Sequence, residues 1–179
     1  MTLKLTSRNI STLLLLFILN FYTSAQEKNI LRNLSLTMDF KQSVIAEDDM
    51  TISGMNSFLG YKFNKMTIGI NTGKEKLLTD NTYAKYNVSG LGLKYKIKNE
   101  SFSLEPFLST QISIPKNSNN EEYWGYDIGI CFSIDQAPDI GFVSGFEHWF
   151  PFESNDKLYS LYIGARISFD SIINSIFIK

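Results

Sequence analysis

Hydrophobic and polar residues alternate along most of the chain after residue 30. In one segment Trp124, Ile128 and Phe132 share one phase, while Asp127 and Ser133 share the other. A period of two places successive side chains on opposite faces of a β-strand. Such segments recur with turn residues between them, which predicts about eight strands. The predicted strands span residues 34–40, 58–63, 66–71, 90–97, 104–114, 123–134, 142–150 and 159–169.

The connections between these segments alternate in length. Only Asn64 and Lys65 separate the second segment from the third, which predicts a tight hairpin. The longer, polar connections are Lys41 to Ser53, Thr72 to Thr82, Pro115 to Glu122 and Pro151 to Lys157. An up-and-down barrel places odd and even connections at opposite ends, and transmembrane barrels have short turns at one end and long loops at the other. The alternation therefore predicts an antiparallel up-and-down barrel.

The composition of the two strand faces indicates which face meets the surroundings. One face is apolar and extends over about 11 residues in the longest segments, which is the length of a tilted strand that crosses a membrane. The other face is polar and rich in glycine, which weakens an exposed strand but fits the narrow interior of an eight-stranded barrel. We therefore predict an eight-stranded antiparallel transmembrane β-barrel. The alternative is a soluble, lipocalin-like barrel whose apolar face points inward and binds a small ligand.

Charged residues on the polar face would lie inside this barrel, where each charge needs a partner. Glu147 and Arg166 occur on adjacent predicted strands, so we predict that they form an interior ion pair that fills the lumen and stabilises the barrel. The other charges predicted for the interior are Asp39, Lys62, Lys94, Lys96, Glu105 and Asp127.

The N-terminus has the three-part pattern of a cleavable signal peptide. Lys4 and Arg8 precede a short apolar run, and Ala25 ends a Thr-Ser-Ala sequence. The predicted organisation is a signal peptide over residues 1–25, a barrel over residues 26–170 and a C-terminal tail over residues 171–179. No later stretch of the sequence reaches the 18 or so consecutive apolar residues of a transmembrane helix.

Charge and cysteine content argue against nucleic-acid binding and against stabilisation by disulfides. The chain has 17 basic and 18 acidic residues, and loss of Lys4 and Arg8 leaves a net charge of about −3 without a basic stripe, so nucleic acid is not a predicted partner. Cys131 is the single cysteine, so disulfides do not stabilise the fold. In an alternating segment it is predicted to be a small buried or lipid-facing side chain.

Three segments of the chain resemble strands of the small outer-membrane β-barrel proteins of Gram-negative bacteria. They are GLGLKYKI at 90–97, WGYDIGICFSI at 124–134 and LYIGARISF at 161–169, and the resemblance in pattern covers most of residues 30 to 169. It implies an outer-membrane location, with membrane lipid, lipopolysaccharide and the outer-membrane assembly machinery as partners. In that family the last strand usually ends at an aromatic residue that the assembly machinery recognises. Phe169 matches this position, and residues 170–179 continue beyond it.

Catalytic chemistry has one candidate residue. The resemblance implies a lipid A-modifying enzyme as an alternative function, since some small outer-membrane barrels carry a His, a Ser and an acidic residue near the external rim. His148, the only histidine, lies near the predicted loop with Glu153 and Ser154. However, its phase places it with Phe146 and Phe150 on the apolar face, as expected for an interfacial aromatic belt. One histidine, one cysteine and dispersed carboxylates give no metal-ligand spacing. We predict a non-enzymatic structural or loop-mediated role without a cofactor, and the sequence does not identify an extracellular partner.

Overall fold

The computed structural model describes residues 33–46, 51–79, 82–116, 121–152 and 157–177. The predicted signal peptide lies outside these residues. The described chain forms nine β-strands and one helix. The strands are β1 (Leu34–Ala46), β2 (Thr51–Phe63), β3 (Met66–Thr79), β4 (Thr82–Tyr95), β5 (Ile97–Lys98), β6 (Phe102–Pro115), β7 (Tyr123–Ile134), β8 (Ile140–Pro151) and β9 (Leu158–Ser168), and the helix is α1 (Asp170–Phe177).

The strands close into one antiparallel barrel. Consecutive strands pair with each other except β4 and β5, β1 also pairs with β9, and β4 pairs with β6. The two-residue strand β5 continues β4 beyond Lys96 and pairs with β6. β4 and β5 therefore count as one strand of the barrel wall, which has eight strands in all. This confirms the predicted eight-stranded up-and-down barrel.

Side chains alternate between the lumen and the outer wall, as predicted. On β1, Thr37 and Asp39 are buried in the lumen, whereas Phe40 is 40% exposed on the outside. The outer wall is apolar over much of its height, and Leu91 is 66% exposed on it. A soluble barrel would bury these side chains. The soluble alternative with an inward apolar face is therefore wrong.

Two of the predicted long connections are mostly strand. β1 continues to Ala46 and β2 begins at Thr51, while β3 continues to Thr79 and pairs there with Thr82 of β4. Period-two alternation persists in these extensions, but its polarity reverses. On β3, Ile68 faces outward and Thr67 inward near one end, whereas Lys76 faces outward and Leu77 inward near the other. The strands thus extend beyond the apolar band of the wall.

The two ends of the barrel differ. The helix end carries Asn33 and α1, and the loop end is the opposite one, where β1 and β2, β3 and β4, β6 and β7, and β8 and β9 are connected. At the helix end the Asp170 carboxylate accepts hydrogen bonds from the Leu36 N–H, at 3.0 Å, and from the Ser35 hydroxyl, at 3.2 Å. It also pairs with Lys62 at 2.6 Å. The predicted tail is therefore mostly a helix attached to the barrel rim. No helix in the described part of the chain is long and apolar enough to cross a membrane.

Candidate functional site in the barrel lumen

The first group of buried charges is centred on Arg166 of β9. Its Nε and Nη2 donate to the two carboxylate oxygens of Asp39 at 2.6 and 2.7 Å, and its Nη1 donates to Glu105 at 2.5 Å. The guanidinium carbon also lies 4.8 Å from the ring centroid of Phe107. A planar guanidinium suits such two-point contact with a carboxylate. This group ties β9 to β1 and, across the lumen, to β6.

The second group is centred on Lys41 of β1. Its ammonium binds Asp127 of β7 and Glu147 of β8, the latter at 2.8 Å. The Tyr162 hydroxyl donates to the other oxygen of Asp127 at 2.6 Å, and the Lys41 ammonium lies 4.5 Å from the centroid of the Tyr162 ring. All four side chains are buried. Buried charges of opposite sign with further hydrogen bonds stabilise each other, and they occupy the space that a pore would need.

Lys94 and Glu75 are buried charges without an ion-pair partner among the described residues. The Lys94 ammonium donates to the Thr37 hydroxyl at 2.7 Å and lies 4.0 Å from the centroid of the Phe58 ring. Glu75 accepts a hydrogen bond from the Asn56 amide at 2.8 Å, and its second oxygen has no hydrogen-bond partner in the described chain. Glu75 is therefore the least compensated of the buried charges that the structure describes.

An apolar plug closes the lumen at the loop end. Its buried members are Ile52, Leu77, Tyr86, Val88, Trp149 and Leu158. The rings of Tyr86 and Trp149 meet edge to face with centroids 5.8 Å apart, and Tyr123 lies 5.7 Å from each of them. Aromatic rings at this distance and orientation attract one another in addition to the area they bury. The plug is a core of the kind found in soluble proteins, and it lies where the strands extend beyond the apolar wall.

The described part of the lumen contains small cavities. One of about 20 Å³ is lined by Asp39, Lys94 and Gln111 among others, and one of about 40 Å³ near the helix end is lined by Lys96, Glu105 and others. Both can hold water, since a single water needs roughly 10–15 Å³. Both are far smaller than the roughly 300 Å³ or more of a pocket for an organic ligand.

The predicted ion pair between Glu147 and Arg166 does not form. Both side chains are buried in the lumen, but Glu147 faces Ser160 across the β8–β9 pair, whereas Arg166 faces Gly141. The six residues from Gly141 to Glu147 correspond to roughly 20 Å along a strand. Arg166 instead binds Asp39 and Glu105, and Glu147 binds Lys41. Lys41 was assigned to a predicted loop, although it has the same inward phase as Asp39.

The structure distributes the other predicted interior charges as follows. Asp39, Lys94 and Asp127 are buried, and Glu105 is partly buried beside Arg166. Lys62 is only partly buried and pairs with the helix, and Lys96 is exposed at the helix end. These last two positions were predicted too deep, because their strands reach the barrel rim there. Sequence alternation alone also missed the buried Glu75, since it lies in a segment predicted to be a loop.

His148 lies on the outer wall of β8, in the phase expected from the sequence. Its Nδ1 is 3.2 Å from the Tyr126 hydroxyl, and its ring centroid lies 3.9 Å from Phe150 and 4.7 Å from Tyr159. Its neighbours on this face are therefore aromatic, and Glu153 and Ser154 fall outside the described residues.

Cys131 is a buried free thiol in the lumen, and no group of potential metal ligands occurs among the described residues.

Comparisons with known proteins agree with this architecture. Neither a protein-family model nor a curated protein sequence matches the chain. A de novo designed transmembrane β-barrel is similar in structure, with a TM-score of 0.53 and 15% identity over 75% of this chain and 94% of the design. Neisserial surface protein A has a TM-score of 0.52 and 15% identity, over 75% of this chain and 96% of its own. The outer membrane protein Ail of Yersinia pestis has a TM-score of 0.46 and 19% identity, over 76% and 99%.

The first two similarities confirm the resemblance found in the sequence at the level of the fold. The matches cover 94% and 96% of the two known barrels and 75% of this chain. They coincide with an outward apolar wall and an inward polar face in this chain. The chain therefore has the fold of the small outer-membrane β-barrel proteins.

Proposed function

We propose that this protein is a non-enzymatic, non-conducting outer-membrane barrel with a structural or loop-mediated interaction role in the cell envelope. The observation that carries the proposal is the combination of an apolar outer wall with a lumen filled by ion pairs and closed by the apolar plug. A wall of this kind requires lipid around it. A filled lumen leaves the loop end as the part of the molecule available to partners outside the cell.

Membrane lipid, lipopolysaccharide and the outer-membrane assembly machinery are the partners that this proposal includes. Lipid and lipopolysaccharide would surround the wall, and the assembly machinery would insert the barrel. The strands extend beyond the apolar band at the loop end, which supports placing that end outside, because external loops of such barrels are the longer ones.

Fractionation of cells that express the full chain tests the location. The protein should pellet with the outer membrane and migrate faster on electrophoresis when it is not boiled, because a folded barrel resists the detergent. Recovery in the soluble fraction without heat-dependent migration would overturn the proposal.

A lipid A-modifying activity is the alternative that needs its own test. The aromatic surroundings of His148 on the outer wall favour a role in the interfacial belt. Lipid A should therefore have the same composition in cells that express the wild type, the His148→Ala and Ser154→Ala variants, or none of them. A modified lipid A that appears with the wild type and disappears with either variant would establish the enzyme instead.

A further inference from the structure

Three lysines form a row across neighbouring strands on the outer wall near the loop end. Lys76 of β3 directly faces Lys85 of β4, and the Lys116 N–H, next to the end of β6, donates to the Lys85 carbonyl at 2.8 Å. All three side chains are exposed. We call Lys76, Lys85 and Lys116 the lysine row.

The lysine row has no counter-charge within ion-pair distance among the described residues. None of its members forms an ion pair with another described residue. Like charges directly opposite each other on antiparallel strands destabilise the pair. Asn87 occupies the position opposite Lys74, two residues before Lys76 on the same face of β3. A row of ammonium groups in this position is favourable when an anion binds between them.

On β3 and β4 the wall below the lysine row changes in character in a fixed order, whereas on β6 the exposed Ile112 and Ile114 lead directly to Lys116. Ile68 and Leu91 belong to the apolar band. Thr72 and Ser89 face each other in the next part of the wall, followed by Lys74 and Asn87, and then by the lysine row. On these two strands apolar side chains are followed by hydroxyl- or amide-bearing ones and then by ammonium groups away from the membrane centre, and Lys74 already lies at the level of Asn87. This order matches a lipid that has acyl chains, a sugar headgroup and phosphate.

We propose that Lys76, Lys85 and Lys116 bind the phosphate of a phosphorylated glycolipid in the external leaflet. This inference rests on the proposed membrane location. Lysine binds phosphate through charge-assisted hydrogen bonds, and its long stem lies along the wall while the ammonium reaches the headgroup level. Thr72, Ser89 and Asn87 would meet the sugar hydroxyls. A lipid is favoured over free phosphate because the row faces sideways from the wall and Lys116 follows the exposed Ile114 of the apolar wall.

The test uses the full mature chain, folded in an uncharged detergent and titrated with diphosphoryl lipid A, with bound lipid counted by native mass spectrometry. The variant carries K76Q, K85Q and K116Q. Its affinity should fall tenfold or more, since each lysine near an anionic surface contributes roughly fivefold. Lipid A without phosphate should bind the wild type as weakly as it binds the variant.

A matched control carries K65Q, K96Q and K98Q. These lysines are also exposed, but they lie at the helix end, where the Lys96 N–H donates to the Lys65 carbonyl at 2.7 Å. The control has the same change in net charge and should bind within twofold of the wild type. Equal loss in both variants, unchanged binding in the first variant, or displacement of the lipid by an equal concentration of inorganic phosphate or sulfated polysaccharide would overturn the inference.

Heat-dependent migration of every sample separates this result from the proposed function. A variant that keeps the fast-migrating form but loses lipid A supports the lysine row as the binding site. A wild type that keeps the fast-migrating form but does not bind diphosphoryl lipid A overturns the inference and leaves the barrel assignment intact. A wild type without heat-dependent migration contradicts the barrel assignment itself.

Discussion

Arg166 and Asp39 face each other directly across the seam where the last strand meets the first, and two hydrogen bonds of 2.6 and 2.7 Å join them. The seam closes the barrel between strands that are far apart in the sequence. A buried two-point ion pair at this place fixes the register of β9 against β1, because a shift by one residue would turn every side chain of a strand to the other face.

Replacement of Arg166 by Met should lower the free energy of unfolding by about 3–5 kcal/mol, because it leaves two carboxylates, Asp39 and Glu105, without a counter-charge. Urea unfolding of the barrel in lipid vesicles, followed by tryptophan fluorescence, measures the change. The double variant Asp39→Leu with Arg166→Met should recover part of the loss, because only Glu105 then lacks its counter-charge. Lys98→Met is the control, since the Lys98–Asp135 pair is largely exposed and contributes little. A loss of equal size in the control would contradict the assignment.

Removal of the charge of Glu75 should raise the stability of the barrel, whereas removal of the charge of Glu147 should lower it. Glu75→Gln keeps an oxygen for the Asn56 amide and removes a buried charge that has no ion-pair partner among the described residues. We expect a gain in unfolding free energy of about 1–3 kcal/mol. The matched variant Glu147→Gln removes one of the two carboxylates that bind Lys41 and should lower the stability by about 1.5–3 kcal/mol, because Asp127 still pairs with Lys41. Urea midpoints that fall by the same amount in both variants would contradict this distinction.

The sequence predicts the wall of this barrel better than its contents. Alternation with a period of two depends only on neighbouring residues, so the outward phase of Leu91 and Ile128 follows directly from the pattern. The partner of an inward charge depends on register and on contacts across the lumen. Glu147 and Arg166 have the right phase and lie on adjacent strands, yet their heights differ too much for them to meet.

The extensions at the loop end were missed for a different reason. Beyond the apolar band the lumen becomes a soluble-type core, so apolar residues turn inward and polar residues turn outward. Leu77 and Lys76 keep the period of two but exchange the faces expected of them. A search for strands by a constant apolar phase ends at this reversal and assigns the remainder to loops.

Gly90 lies on β4 between the paired positions Ser89–Ile112 and Gly92–Ser109 of β4 and β6. A Cβ atom there would come within 1.7 Å of the Thr110 carbonyl oxygen, which belongs to the backbone and cannot turn aside. Gly90→Ala should therefore lower the unfolding free energy by about 2 kcal/mol or more. At Gly92 the nearest atoms are side-chain atoms of Phe58 and Asn71 at 3.0 and 3.2 Å, which can shift. Gly92→Ala should have a distinctly smaller effect in the same urea titration, and the reverse order would show that closure does not depend on Gly90.

Replacement of Trp149 tests separately whether the apolar plug stabilises the barrel and whether it alone closes the lumen. Its side chain is 1% exposed and packs against Tyr86 and Tyr123, so Trp149→Ala should lower the unfolding free energy by about 3–5 kcal/mol. The variant should nevertheless show no single-channel steps in planar bilayers, because the Arg166 and Lys41 ion pairs still fill the lumen below the plug. Discrete conductance steps in Trp149→Ala that the wild type lacks would show that the plug alone closes the barrel.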